Sequence, residues 1–144
     1  MRYAIPFVAV CACLVTAPAA DLSRARAEPD LNKRAELAMQ NADAAMNQAG
    51  SAYEAGDSQK GAAALADLRA SVELACDSLR ETRKPARNNK YYKRVELNMR
   101  TLLRHLDDLS RAVSYDDRAS VDAVQKRLQE LHDQILIAIM SKRK

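Results

Sequence analysis

Apolar side chains return every three or four residues along most of this chain. From Tyr92 the run is Val95, Met99, Leu102, Leu106, Leu109 and Val113, without a missed step. Val121, Val124, Leu128, Leu131, Ile135 and Ala138 repeat the pattern further on. Upstream stand Gly61, Leu65, Leu68, Val72, Ala75 and Leu79, and before them Met39, Ala42, Met46, Ala49 and Tyr53. Steps of three and four average the period that keeps one helix face toward a partner. Each seam leaves an apolar stripe that a lone helix does not bury, so the four must bury one another. The spacing predicts helices over about 31–55, 58–83, 89–114 and 117–141.

The breaks between seams agree. Gly56 suits a helix C-terminus, and Asp57 or Ser58 suits the next N-cap. Ser114 with Asp117 resembles a capping box, with Asp116 as the alternative cap. The residue before Pro85 avoids helical backbone, which ends the second helix near Lys84. Asn88 or Asn89 can cap the third. Helices of ~25 residues are ~37 Å long. Short connections between equal helices favour antiparallel neighbours. The expected fold is all-α: an antiparallel up-down four-helix bundle, built as two long helical hairpins over residues 31–144.

The first residues break the pattern. MRYAIPFVAVCACLVTAPAA carries Arg2, then an apolar run from Ile5 to Val15, then small residues. This is the form of a secretory signal peptide. Cleavage fits Ala17-Pro18-Ala19 or Ala25-Arg26-Ala27. We place the signal at 1–19 and a short linker at 20–30, with cleavage as late as residue 27 as the alternative. An uncleaved anchor is the other reading, but Pro6, Pro18 and the short apolar core argue against a full span. The expected location is periplasmic or extracellular. Cys11 and Cys13 fall in the signal, so Cys76 has no intrachain partner beyond it. It reads as a small core residue, with an intermolecular disulfide as the sharper alternative.

From Glu28 onward the chain holds 20 Lys and Arg against 18 Asp and Glu, a net of +2. Any function of charge must therefore come from its distribution. The stretch RETRKPARNNKYYKR, residues 80–94, carries seven positive charges and one negative. In an up-down bundle this loop shares one end with the first helix start and the last helix end. That end collects Lys33, Arg34, Arg80, Arg83, Lys84, Arg87, Lys90, Lys93, Arg94 and the tail Lys142, Arg143, Lys144. The other end carries Glu54, Asp57, Asp116 and Asp117, with Arg118 as the exception. Cations at helix C-termini complement the macrodipole, but Lys90, Lys93 and Arg94 oppose it at a helix start. We take Arg83, Lys84, Arg87, Lys90, Tyr91, Tyr92, Lys93 and Arg94 as the candidate binding residues, the two tyrosines acting as amphipathic anchors. The expected partner is an anionic envelope component or an acidic protein. Peripheral membrane contact is included and nucleic acid is not, given export.

Candidate chemistry changes this picture little. His105 and His132 are the only histidines, offset along the proposed bundle by roughly 9 Å, and no metal site is assigned. Glu96/Arg100, Arg104/Asp108 and Lys126/Glu130 stand at i,i+4 and read as surface pairs. No spacing supports a nucleophile with its base or a phosphate-binding loop, so we read the protein as non-enzymatic.

Three resemblances were weighed. AYEAGD, residues 52–57, resembles the turn of a tetratricopeptide repeat. It covers one turn, and the helices are too long for a repeat unit of about 34 residues. The plan is also similar to cytochrome b562. That resemblance implies haem held by a Met near the start of the first helix and a His near the end of the last, here Met39 and His132. Met39 lies about two turns into its helix and His132 about two turns short of the end. No haem-attachment motif is present, and we assign no cofactor. DDRASVDAV, LQELHDQILIAIM and KRK resemble a group of small exported bacterial proteins of unknown function, which implies export and no mechanism. A scaffold that dimerises through the Ala-rich first helix is a further alternative.

Overall fold

The computed structural model of the protein describes residues 21–141. The expected signal peptide over 1–19 and the tail Lys142, Arg143 and Lys144 lie outside the described residues. Inside them the chain is all-helical, with no strand. It forms α1 (Ser23–Ala27), α2 (Leu31–Glu54), α3 (Ser58–Glu81), a 3-10 turn (Ala86–Asn88), α4 (Lys90–Ala112) and α5 (Tyr115–Met140). The four long helices fall within two residues of their expected bounds. Among the described residues, no helix is long and apolar enough to cross a membrane.

Side-chain caps set the starts. Asp30 accepts from Lys33 N at 2.9 Å and Asp57 from Lys60 N at 3.0 Å. Asn89 accepts from Tyr91 N at 2.9 Å. Ser114 accepts from Asp117 N at 3.3 Å, while its hydroxyl donates to the Asp117 carboxylate at 2.8 Å. Each cap satisfies a first-turn N–H that has no partner within the helix. After α2, Gly56 takes φ +75°, a left-handed turn that glycine adopts without strain.

One core joins all five helices. The α2 helix buries Ala35, Ala38, Ala42, Ala45, Ala49 and Ala52 and packs mainly on α3. These two helices share the most extensive contact in the molecule. The small residues that sequence offered for dimerisation are thus buried within one chain. Gly61 extends this close approach. A Cβ placed there would meet the Tyr53 ring at 2.6 Å.

The sense of pairing is legible in the side-chain contacts. Arg34 pairs with Glu81 at 3.6 Å, Asn41 donates to Ser71 at 2.8 Å, and Tyr53 lies over Gly61. One number falls as the other rises, and the same holds for Glu96 with His132 and Ser110 with Asp122 between α4 and α5. Between the two pairs the numbers rise together. Ser58 meets Asp117, Glu73 meets Arg127 and Arg80 meets Gln134, joining α3 to α5. Glu36 meets Arg94, joining α2 to α4.

Residues 20–30, expected as a linker, instead hold α1, which packs on α2 and buries Ala25 to 1% exposure. Glu28 ties this segment down by accepting from Arg34 Nε through its carbonyl at 2.8 Å and pairing with Lys33 at 3.3 Å. The later A-x-A thus lies within a docked helix. Cys76 is also wholly buried, and burial pushes its thiol up to about 12. That places it as a core residue and removes it from intermolecular disulfide chemistry in the folded state.

Leu106 sits at the centre of the α4 seam with no exposure. Leu106→Ala should cost ~2–5 kcal/mol, and Asp107→Ala, beside it but off the seam, less than ~0.5 kcal/mol. Equal losses in urea titrations would mean that the seam is misplaced.

Candidate functional site

The loop 82–89 joins the end of α3 to the start of α4. Pro85 and the 3-10 turn Ala86–Asn88 carry the chain from α3 to α4, and the turn rests on α5. One cleft there is lined by Arg83, Lys84, Arg87 and Asn88 on the loop side and by Tyr92, Ala138 and Ser141 opposite. A second lies between Asn32 of α2 and Lys84, Asn88, Asn89 and Lys90. Of the basic residues grouped by sequence, Arg83, Lys84 and Arg87 line the first cleft and Lys84 and Lys90 the second, and the tail lies outside the described residues.

Their partners divide them. Lys33 pairs with Glu28, Arg34 with Glu81 and Arg94 with Glu36. Arg80 holds Asp77 and Gln134. These contacts occupy the nearby carboxylates of Glu28, Glu36 and Glu81. Among the described residues, no carboxylate stands within ion-pair distance of Arg83, Lys84, Arg87, Lys90 or Lys93. All five are exposed. Lys90 instead lies over the Tyr91 ring, 5.1 Å from its centroid.

Two candidate residues have other roles. Tyr92 is 5% exposed and belongs to the core, and burial raises its phenol above the ordinary value. It opens the α4 seam and packs in the core, reaching the surface only where it lines the first cleft. Tyr91 is half-buried beside it. Arg94 is engaged with Glu36 and contributes to the α2–α4 join.

Arg83 holds the least expected backbone. Its φ is +51°, the only positive φ outside glycine among the described residues. It follows the last turn of α3, with its N–H donating to Arg80 O at 3.1 Å. Helices commonly end in this conformation, but with glycine, because a Cβ there costs roughly 1–2 kcal/mol. At the opposite end Arg118, the sequence-level exception, donates to Ser110 O at 3.1 Å. It thereby satisfies a carbonyl of the last α4 turn.

The second polar feature lies inside. Glu96 was expected as a surface partner of Arg100, and it does hold Arg100, but its carboxylate is buried and also faces His132 Nε2 at 3.0 Å. Burial alone would raise the Glu96 carboxyl. The hydrogen bonds from Arg100 and His132 outweigh it and hold the group below the ordinary carboxylate value. The other expected surface pairs differ in detail. Arg104 turns to Thr101, and Glu130 pairs with Arg127. His105 lines a shallow cleft with Met46, Glu54 and Asp108, away from His132. Among the described residues, no three metal-ligating side chains gather. Met39 lines a small cavity with Tyr91 and Val95 of α4, which His132 does not share.

Comparison with known protein families, with curated proteins and with solved structures finds no match.

Glu96 gives a pH prediction with a definite sign. Its carboxyl is lowered on folding from an ordinary 4.5, so its stabilisation is complete above that value. The stabilisation is lost as the pH falls through the lowered folded value. Glu96→Gln should therefore cost ~1.5–3 kcal/mol at pH 7, the range for a hydrogen bond to a charged group. The gap from wild type should shrink in acid, where both side chains are neutral. Urea midpoints at neutral and acid pH measure it, and an undiminished gap in acid would exclude an ionised Glu96.

Proposed function

We propose that this protein is exported, non-enzymatic and works by binding an anionic partner through its basic end. We read its four long helices as an up-down-up-down bundle made of two antiparallel pairs. The opposed numbering of contacts within α2–α3 and within α4–α5 supports that arrangement. Export rests on the signal-like pattern of residues 1–19.

The observation that carries the binding reading is Arg83. A cation stands in left-handed backbone where glycine is less strained, inside a loop whose other cations lack carboxylate partners. A cation past the end of α3 complements that helix's dipole, but glycine would avoid the left-handed strain. Lys90 and Lys93 add a second departure, because they occupy the first turn of α4, where the helix dipole disfavours positive charge. An anion at this end relieves both the mutual repulsion of these charges and their opposition to the dipole. Several exposed lysine and arginine side chains suit a surface of many negative charges rather than one small enclosed ligand.

Arg83→Gly separates folding from binding. It should raise stability by about 1 kcal/mol through relief of the left-handed residue. It should also weaken retention on a phosphate-bearing matrix. If stability and retention fall together, Arg83 is a structural residue.

Changing Lys84, Arg87, Lys90 and Lys93 together to Gln should abolish most retention and leave the urea midpoint equal to wild type or slightly higher. Wild-type retention should fall steeply with salt, as the Debye length shortens from ~10 Å at 0.1 M to ~3 Å at 1 M. Arg118→Gln, at the other end, should leave retention unchanged. Salt-independent retention, or none, would overturn the reading.

A further inference from the structure

The last turn of α5 exposes two large apolar side chains at the same end as the basic loop. Ile137 is 68% exposed and Met140 76%. Leu136 and Ile139 beside them are half-buried. Folding does not require the exposed pair: the core contacts of this turn come from Ala138 and Ile139. Ala138 and Ser141, one residue beyond each of the pair, line the cleft whose other wall is Arg83, Lys84 and Arg87. The sequence then continues with Lys142, Arg143 and Lys144.

From this juxtaposition we infer that the basic end is a lipid-docking tip: Ile137 and Met140 enter the acyl boundary of an anionic bilayer while Arg83, Lys84, Arg87, Lys90 and Lys93 meet its headgroups. The inference rests on the basic-end reading above and narrows its partner to a membrane surface. Apolar burial and charge attraction are the two signals that peripheral membrane binding combines, and neither is sufficient alone. The positive loop complements the negative surface of anionic lipid.

Shape decides against an acidic protein as the partner. A stable protein interface buries roughly 800 Å² on each side around a packed apolar centre. Here the apolar element is two exposed side chains on the last turn of α5, and the polar lining of the neighbouring clefts comes from Arg83, Lys84, Arg87, Asn88, Asn89 and Lys90. A fluid surface accepts such a tip without a matching pocket. Exposed apolar residues rimmed by charge are a mark of surfaces that meet another phase or partner.

The test separates this inference from the reading beneath it. Three probes are used with the full mature chain: vesicles of phosphatidylcholine, vesicles that also contain phosphatidylglycerol, and a lipid-free anionic polysaccharide. Wild type should bind the phosphatidylglycerol vesicles and the polysaccharide. Ile137→Gln combined with Met140→Gln should lower vesicle binding about tenfold or more, as two apolar anchors are lost, and leave polysaccharide binding unchanged. The four-charge Gln variant should lose both. Both positions are exposed, so the variants should keep the wild-type helical circular dichroism and urea midpoint.

Because the chain has no tryptophan, Ile137→Trp gives a single fluorescence reporter. Its emission should shift to the blue with phosphatidylglycerol vesicles and stay unshifted with the polysaccharide. If the Ile137/Met140 variant binds vesicles like wild type, or the tryptophan emission does not move, lipid insertion is overturned and the basic-end reading stands. If wild type binds none of the three probes, both fall.

Discussion

Two helices can approach closely only where small side chains face each other, and the first half of this protein is organised by that constraint. The buried alanines of α2 allow its backbone close to α3, and Gly61 leaves room for the Tyr53 ring at the turn. The large side chains of the core come mainly from the other helices. Leu65, Leu68 and Leu79 of α3, Leu102 and Leu106 of α4, and Leu128, Leu131 and Ile135 of α5 are almost without exposure. Packing thus combines one helix rich in small residues, α2, with three that carry most of the bulk. The register of the tight pair sets Arg34 opposite Glu81. That contact brings the beginning of α2 to the end of α3, where the basic loop emerges.

Polar groups inside the fold follow a different rule from those at its end. Glu96 is buried but satisfied by Arg100 and His132, so one α4 side chain links α4 to α5 through a charge-assisted contact. Ser71 and Ser78 are buried and donate back to Asp67 O and Leu74 O at 2.7 Å. At the basic end the nearby acids are already engaged, and several cations remain without them. Inside, Glu96, Ser71 and Ser78 are paired while the buried Tyr53 hydroxyl and His132 Nδ1 have no hydrogen-bond partner among the described residues, and one surface region carries an excess of one sign.

Much of this was legible in the sequence because it depends on spacing. The α4 seam from Tyr92 to Val113 is buried at each of its steps, and Gly56, Asp57, Asn89 and Ser114 stand at the turns where their chemistry placed them. What escaped depends on the third dimension. Tyr92 served two readings, seam and anchor, and only its 5% exposure separates them. Glu96 sits one position from the seam, where a helix face can be either wet or covered, and α5 covers it. The segment around Ala25 looked like a processing site because small residues also suit a tight helix contact. The side-by-side join of the two pairs, with α2 on α4 and α3 on α5, escaped because loop length sets neighbours in the chain and not which faces meet. Arg83 gave no sign, since a left-handed backbone normally announces itself through glycine or asparagine.

The start of α4 is where local rules and global charge part company. The chain follows the helix dipole in places: α5 opens with Asp116 and Asp117, and α3 closes with Arg80, although Lys60 stands in the first turn of α3 and Glu54 ends α2. Lys33 and Arg34 oppose the dipole at the start of α2, but Glu28 and Glu81 answer them. Lys90 and Lys93 have no such answer, and Arg83 adds strained backbone to the same loop. Either departure alone is within the ordinary variation of a surface loop. Their coincidence in one segment, beside two exposed apolar side chains on α5, is harder to attribute to folding. Sequences that satisfy local rules elsewhere tend to break them where a site requires it. By that criterion the loop is the segment that the proposed binding role would account for, and the tight α2–α3 pair is the frame that holds it in place.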